Sequence, residues 1–341
     1  MEKEELIART DLATIPANRR LVDELYAHGY LTAEGKAYAL NLLHPHNQWG
    51  LWVSRLLLIL GTALVLAGVI YFFAFNWARL TPIIKFTTIQ TGLVGCLIAA
   101  YSYSLQKLVG KIFLLAASVL VGVFLAVFGQ VYQTGADAYQ LFMGWALLTL
   151  GWTIIANFSV QWLLWLIICN IFVLLWWEQS ALPSRSMEDL LYSLLLGING
   201  LALALREYAA QHNYNWLSAQ WLRAILVIAL SIFLAIPIEY CIIDPGSAHV
   251  STYISALFGG VALVGGFWVY RFILFDMWAL ATIVLTCCVV ATTATFKIFF
   301  ELIGKYESVT FLLMGLATLG VFTIALIYLR AVVHKMEATR D

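Results

Sequence analysis

Two short polar segments in an otherwise apolar sequence contain the side chains that could do chemistry. One contains Asn76 and Trp77, and the other, from Gly129 to Asp137, contains Gln130, Tyr132 and Gln133. A polar group at membrane depth costs free energy unless it is hydrogen-bonded, so we expect these side chains to face the helix bundle or a wet cavity. They form a candidate ligand or partner site, with Glu239, Asp244, Lys297 and Glu301 as weaker candidates on the same side.

A purely structural interpretation of the same segments stays open. Asn76 would then end a helix, Thr134 and Gly135 would form a loop, and Asp137 would cap the following helix. Turn and cap residues of this kind need no ligand.

The sequence contains none of the common catalytic signatures. There is no H-E-x-x-H, no G-x-S-x-G, no phosphate-binding loop and no dinucleotide fingerprint. The five cysteines form no C-x-x-C pair, and we expect them to be packing thiols. We therefore expect no catalytic residue, metal or cofactor, and an enzyme is the less favoured class.

The composition indicates an integral membrane protein. Apolar residues make up 62% of the 341 residues and charged residues only 11%, and such a chain cannot cover its surface in water. The 19 basic and 19 acidic residues balance, so the charge favours no nucleic-acid partner. The lipid bilayer is the expected surrounding.

The spacing of apolar runs predicts an all-α bundle of about ten membrane spans, since each needs about 20 helical residues. The clearest runs are Trp52–Phe75, Ile83–Ser104, Ile112–Tyr132, Val250–Tyr270, Met277–Phe296 and Val309–Leu329. The charge-free run Ala138–Trp177 would be about 60 Å long as one helix, so we expect two spans with a turn near Asn157. Two shorter runs, Leu190–Leu205 and Leu222–Ile238, complete the set.

The chain divides into three predicted parts. Residues 1–50 read as a short cytosolic helical hairpin, with Gly29 as a left-handed cap and a second helix that starts near Thr32. This hairpin is too small to be an independent domain, so we expect it to dock on the membrane part, on another copy of the chain or on a protein partner. Residues 51–180 and 181–341 are predicted to form two halves of the bundle with about five spans each.

The distribution of lysine and arginine predicts the orientation. With the N-terminus inside, the outer side holds only Arg79, Lys85, Arg185, Lys297 and Lys305 of the 19 basic residues, as the positive-inside rule requires. Both termini are then cytoplasmic, and both polar segments lie at the outer face. Small residues such as Gly122 and Gly259 recur at spacings typical of close helix contact.

The polar segments also carry a family resemblance. Phe75-Asn76-Trp77, and the stretch of Gly129, Gln130, Tyr132, Gln133, Gly135, Ala136 and Asp137, resemble the signature of a bacterial membrane-protein family called domain of unknown function 2157. The resemblance covers about residues 15–180. It implies a multi-pass protein of the bacterial inner membrane and no particular substrate.

Three functions remain compatible with the sequence. A non-enzymatic carrier or flippase-like protein is favoured over an enzyme, because no pair of nucleophile and base and no metal-binding set can be assembled from the sequence. The sparse polarity within the spans restricts such a carrier to a neutral or lipidic substrate. The alternatives are an assembly or scaffold subunit of a membrane complex, and a membrane-embedded enzyme that acts on a lipid-linked substrate at the outer face.

A reporter fused after Asp341 tests the predicted orientation. With ten spans and an inner N-terminus, a fluorescent protein at this position is expected to fluoresce and alkaline phosphatase to stay inactive. The opposite result would mean that one of the two short runs between Met187 and Ile238 does not span the membrane.

Overall fold

The computed structural model describes residues 19–43, separate positions between 53 and 75, and residues 77–133, 135–212, 214, 216–303 and 307–338. Every regular element in these ranges is helical. The predicted first span, Trp52–Phe75, lies largely outside the described residues. The chain divides into two compact units, Met1–Leu80 and Thr81–Asp341, and each is described by itself.

Within the first unit, residues 19–43 form the predicted helical hairpin. Helix α1 is Arg19–Ala27 and helix α2 is Ala33–Leu43. Gly29 has the predicted left-handed conformation, with φ of 76°, and the Thr32 hydroxyl accepts a hydrogen bond from the Gly35 amide at 3.1 Å. An ion pair of 2.7 Å between Lys36 and Asp23 joins the two helices.

Among its described residues, the second unit has nine helices that are long and apolar enough to cross a membrane. They match the nine predicted spans that follow Phe75, including both short runs. Their bounds are α3 Pro82–Tyr103, α4 Leu108–Tyr132, α5 Ala138–Ala156, α6 Ser159–Trp176, α7 Leu190–Gln211, α8 Gln220–Ile243, α9 Val250–Trp268, α10 Met277–Ile303 and α11 Glu307–Ala338. Helices α6 and α9 continue as π-helical turns, Trp177–Ala181 and Val269–Ile273.

The predicted turn at Asn157 is confirmed. Helix α5 ends at Ala156, Asn157 takes the left-handed conformation with φ of 44°, and α6 begins at Ser159. Asparagine tolerates this conformation better than most residues. The Lys111 ammonium donates a 2.8 Å hydrogen bond to the Asn157 carbonyl, which satisfies a backbone acceptor that the end of the helix leaves open.

The helices of the second unit pack in two ways. From α3 to α7 each helix packs mainly on its neighbours in the sequence, whereas α8 packs on α7, α9 and α10. The larger apolar core lies among α8, α10 and α11 and includes the buried residues Val227, Leu280, Ile283 and Val332. Only 6% of the membrane-length apolar stretch of α11 is buried, as expected for a helix that faces lipid.

Close helix contact is confirmed at two of the predicted small residues. A Cβ atom on Gly122 of α4 would lie 2.5 Å from the Trp145 ring of α5, and one on Gly259 of α9 would lie 2.9 Å from the Leu234 carbonyl of α8. The Trp145 indole donates a 2.7 Å hydrogen bond to the Ser118 carbonyl. Gly122 therefore leaves the space in which this indole reaches α4.

Side-chain hydrogen bonds also join the helices at membrane depth. The amides of Asn170 on α6 and Asn199 on α7 bond to each other at 2.6 and 3.3 Å, and Asn199 is 2% exposed. In lipid such pairs satisfy polar groups that have no water to bond with. This pair links the group α3–α6 to the group α7–α11.

Gly122→Ala tests the contact between α4 and α5. The added methyl group would collide with the Trp145 ring, and overpacking of this kind costs about 1–3 kcal/mol. We expect a lower melting temperature in detergent than for the wild type. The control is Gly151→Ala on α5, where a Cβ atom would have nothing within 4 Å; equal melting temperatures for both variants would contradict the packing.

Candidate functional site

The segment Gly129–Asp137 forms the end of α4 and the turn into α5. Gln133 adopts the left-handed conformation just after α4, and Gly135 has φ of 63°. Asp137 takes the position before α5, but its side chain forms no capping hydrogen bond. The described part of the segment thus has the turn geometry of the structural interpretation, without the expected side-chain cap.

The predicted site residues of this segment are exposed in the structure. Gln130, Tyr132, Gln133 and Asp137 all have exposed side chains. The Tyr132 ring stacks on Phe86 of α3, with ring centroids 5.9 Å apart, and contacts Phe128 at 4.8 Å. Tyr132 therefore belongs to an aromatic contact between α3 and α4, and the polar groups project from the α4–α5 end of the bundle.

Of the other candidates, Asn76 lies outside the described residues and Trp77 lies in a short 3₁₀ turn of the first unit. The structure brings Asp244, Lys297 and Glu301 together at the adjoining ends of α8 and α10. Lys297 pairs with Glu301 at 3.1 Å and donates to the Ile243 carbonyl at 2.9 Å. Hydrogen bonds from Ser247, together with the charge of Lys297, lower the pKa of Asp244.

Glu239 is half-buried near the end of α8. These weaker candidates therefore lie on α8 and α10, whereas the segment Gly129–Asp137 lies on α4 and α5. Helix α8 packs on α10, and helix α4 packs on α5. The polar residues are thus divided between two groups of helices.

A second polar group lies at the opposite end of the bundle and centres on Glu207. Arg223 at the start of α8 donates two hydrogen bonds to its carboxylate, from Nε and Nη2, both at 2.7 Å. The Tyr270 hydroxyl donates a third at 3.1 Å. This parallel two-bond contact is the strongest arrangement that an arginine and a carboxylate form.

Asp276 and Arg206 extend this group. Arg223 bonds through Nη1 to Asp276, whose other oxygen accepts from the Ala279 amide at 2.9 Å and so caps α10. Arg206 bonds to Glu207 at 2.9 Å and to the carbonyls of Ser218 and Ala219. We call Arg206, Glu207, Arg223, Tyr270 and Asp276 the Glu207 cluster.

The charges of the Glu207 cluster cancel, because two guanidinium groups face two carboxylates. Their side chains are between 2% and 16% exposed. Removing charges from water is costly, and the cost is offset only when each charge has well-placed partners. Each charge of the cluster has an opposite charge beside it, although the buried Nε of Arg206 has no hydrogen-bond partner among the described residues. The cluster joins the ends of α7 and α9 to the starts of α8 and α10.

A cavity of about 250 Å³ opens beside the cluster, between the first turns of α8 and α10. Its walls are largely apolar, and Arg223 and Asp276 are its charged lining residues; we call this pair the charged edge of the cavity. Two tryptophans from the first turns of these helices complete the wall. The lining residues are Gln220, Trp221, Arg223, Ala224, Asp276, Trp278 and Ala279.

The cavity can hold part of an amphiphilic molecule, since it offers apolar walls and a charged edge. Among the residues that the structure describes, no group of three or more His, Cys, Asp or Glu side chains is placed to bind a metal ion. The lining residues of the cavity offer hydrogen bonding, charge and aromatic contact.

The Glu207 cluster was not predicted from the sequence, although its charged residues could have indicated it. The predicted topology already placed Arg206, Glu207, Arg223 and Asp276 at the same side of the membrane. Arg206 and Arg223 contributed there only to the predicted orientation of the chain in the membrane. Charged residues at adjoining ends of four helices should also have been considered as ion-pair partners.

Comparison with known proteins identifies a family resemblance for the first part of the chain. The family model described as "Predicted membrane protein (DUF2157)" matches residues 23–162, less than half of the 341 residues. The resemblance seen in the polar segments is thus confirmed, and the Glu207 cluster lies beyond the match. Comparisons with curated proteins and with solved structures find no match. The chain is a membrane protein with several membrane-spanning helices.

Glu207→Gln tests the importance of the cluster for stability. The substitution keeps the shape and leaves two guanidinium groups facing a single carboxylate, and loss of one partner in a buried ion pair costs about 3–5 kcal/mol. We expect a large fall in the melting temperature in detergent.

The matched control is Glu301→Gln, which removes an exposed ion pair with Lys297. Exposed pairs contribute only about 0–1 kcal/mol, so this variant should melt close to the wild type. If the two variants lose the same stability, the cluster does not hold the helices together.

Proposed function

We propose that this membrane protein is a non-enzymatic, carrier-like or flippase-like protein for a neutral or lipidic substrate. The observation that carries the proposal is the cavity between α8 and α10, with its apolar walls and charged edge. Such a combination suits a molecule with an apolar body and a polar head.

The position of the cavity supports entry from the membrane. Trp221 and Trp278 lie in the first turns of their helices, and tryptophan at helix ends is typical of the membrane–water interface. Both side chains are exposed, at 41% and 76%. A lipid in the adjoining leaflet would therefore meet the cavity at the depth of its own headgroup.

The charge balance supports a substrate without net charge. Arg206 and Arg223 are matched by Glu207 and Asp276, so the edge of the cavity presents both signs and no excess of either. An ion with net charge would have no compensating charge in this weakly polar zone.

The exposed polar segment Gly129–Asp137 at the other end is the proposed release side. Its candidate residues are Gln130, Tyr132, Gln133 and Asp137, and Asn76 and Trp77 of the first polar segment stay separate candidates. As part of the proposal, the protein lies in the bacterial inner membrane with both termini cytoplasmic, so that the cavity faces the cytoplasm. The division into residues 1–50, 51–180 and 181–341 belongs to the same proposal.

Lipid movement in reconstituted vesicles tests the proposal. Vesicles are prepared with a trace of fluorescent lipid, and dithionite then bleaches the label in the outer leaflet. Vesicles with the wild-type protein are expected to lose the inner-leaflet label as well. Retention of that label, as in vesicles without protein, would contradict the carrier function.

Filling the cavity tests whether it takes part. Ala224→Phe adds a ring to the cavity wall, so we expect lipid movement to fall about tenfold or more. Ile228→Phe is the control, because Ile228 lies on the same helix, is 49% exposed and is not among the residues that line the cavity. Equal rates for the two variants would remove the cavity from the mechanism.

A scaffold function is the second candidate, and the helical hairpin favours it. Helix α2 has no buried residue, and Tyr38 and Leu42 are 72% and 70% exposed. A hairpin with so little core suits docking on a partner. Gentle extraction should then yield a stable complex through residues 1–50, and isolation of the full chain as a lone monomer would count against this candidate.

A further inference from the structure

We propose that the cavity between α8 and α10 binds the headgroup of a zwitterionic phospholipid, with the ammonium group between Trp221 and Trp278 and the phosphate at Arg223. This inference rests on the proposed carrier function and names its substrate class. Three features of the lining carry it: the spare hydrogen-bonding capacity of the charged edge, its charge balance, and the pair of tryptophans.

Arg223 and Asp276 both have capacity for a further partner. A guanidinium group has five N–H groups, and the bonds to Glu207 and Asp276 use three of Arg223's. The Asp276 oxygens each accept one bond, from Arg223 and from the Ala279 amide, while a carboxylate offers about four acceptor positions. A phosphate oxygen can therefore bond to Arg223, and an ammonium group to Asp276, with the existing ion pair intact.

The balance of charge selects among headgroups. The two guanidinium groups and two carboxylates of the Glu207 cluster sum to zero. An anionic headgroup would leave one uncompensated negative charge in a weakly polar zone, which is costly. A headgroup that contains one phosphate and one ammonium group keeps the sum at zero and offers each member of the Arg223–Asp276 pair an opposite charge.

The tryptophans supply the ammonium side of the site. Trp221 and Trp278 line the same cavity as Asp276, and the face of an indole ring attracts an ammonium group. Tryptophan is the most effective residue for this contact. The apolar walls at Ala224 and Ala279 then leave room for the glycerol backbone.

The test measures lipid binding to the purified full-length protein by native mass spectrometry. Phosphatidylethanolamine, phosphatidylcholine and phosphatidylglycerol with identical acyl chains are added in turn. We expect either zwitterionic lipid to bind about tenfold more tightly than phosphatidylglycerol. A preference for phosphatidylethanolamine over phosphatidylcholine would indicate a hydrogen bond from the ammonium group, and the reverse preference would indicate contact with the rings; both support the site.

Two variants locate the binding. Trp221→Leu combined with Trp278→Leu should reduce the preference about tenfold, because each contact of an ammonium group with an indole is lost. Trp268→Leu is the control, since Trp268 is 60% exposed on α9 and is not among the lining residues. Asp276→Asn retains an acceptor for the cap of α10 and makes the cluster net positive, so the preference should shift toward phosphatidylglycerol.

Tight binding of phosphatidylglycerol by the wild type, or an unchanged preference in the double variant, would overturn the site. The lipid-movement assay separates this result from the carrier function. Selective binding without lipid movement would leave the headgroup site in place and remove the carrier function. Lipid movement without selective binding would support the carrier function and remove the headgroup site.

Discussion

The contact between Arg223 and Glu207 is the interaction on which the second half of the bundle depends. Four helix ends meet there, and each contributes a charged or hydroxyl group to one network. Because lipid offers no hydrophobic force between helices, polar contacts and close packing must hold them together. The charge balance allows this network to remain almost fully buried, and it fixes the spacing of α8 and α10 at which the cavity opens.

Besides this network, the helices associate through close packing and through neutral hydrogen bonds. Helices α4 and α5 approach closely because Gly122 has no side chain, and the indole of Trp145 occupies the space beside it. Helices α6 and α7 are joined by the paired amides of Asn170 and Asn199. The Gly122–Trp145 contact lies in the part of the chain that resembles the family, residues 23–162. The paired amides and the ion pairs of the Glu207 cluster lie beyond it. The candidate lipid site depends on the ion-paired part.

Much of the fold could be predicted from the sequence, because the bilayer fixes the length of each apolar run. The nine spans after Phe75 and the turn at Asn157 follow from that constraint and from the position of polar residues. The structure adds details that a single sequence does not contain. Asp137 precedes α5 without the expected capping bond, since the geometry of a turn depends on side-chain directions as well as residue type.

The candidate site was harder to predict from the sequence than the fold was. Gln130 and Asp137 are polar residues within an apolar segment, and this pattern predicts a site. The residues of the Glu207 cluster lie at helix ends, where charged residues are common and predict no site. Such charges usually face water, and only the packing of α7 to α10 shows that these four charged groups are buried together. Pairing across more than fifty residues, as between Arg223 and Asp276, depends on which helices are neighbours.

An experimental structure of the protein in nanodiscs of phosphatidylethanolamine would test both the contact between Arg223 and Glu207 and the lipid site that depends on it. We expect a lipid headgroup between Trp221 and Trp278, with its phosphate within hydrogen-bond distance of Arg223 and the pair of Arg223 and Glu207 intact. A closed contact between the first turns of α8 and α10, with side chains filling the space and no headgroup there, would contradict it.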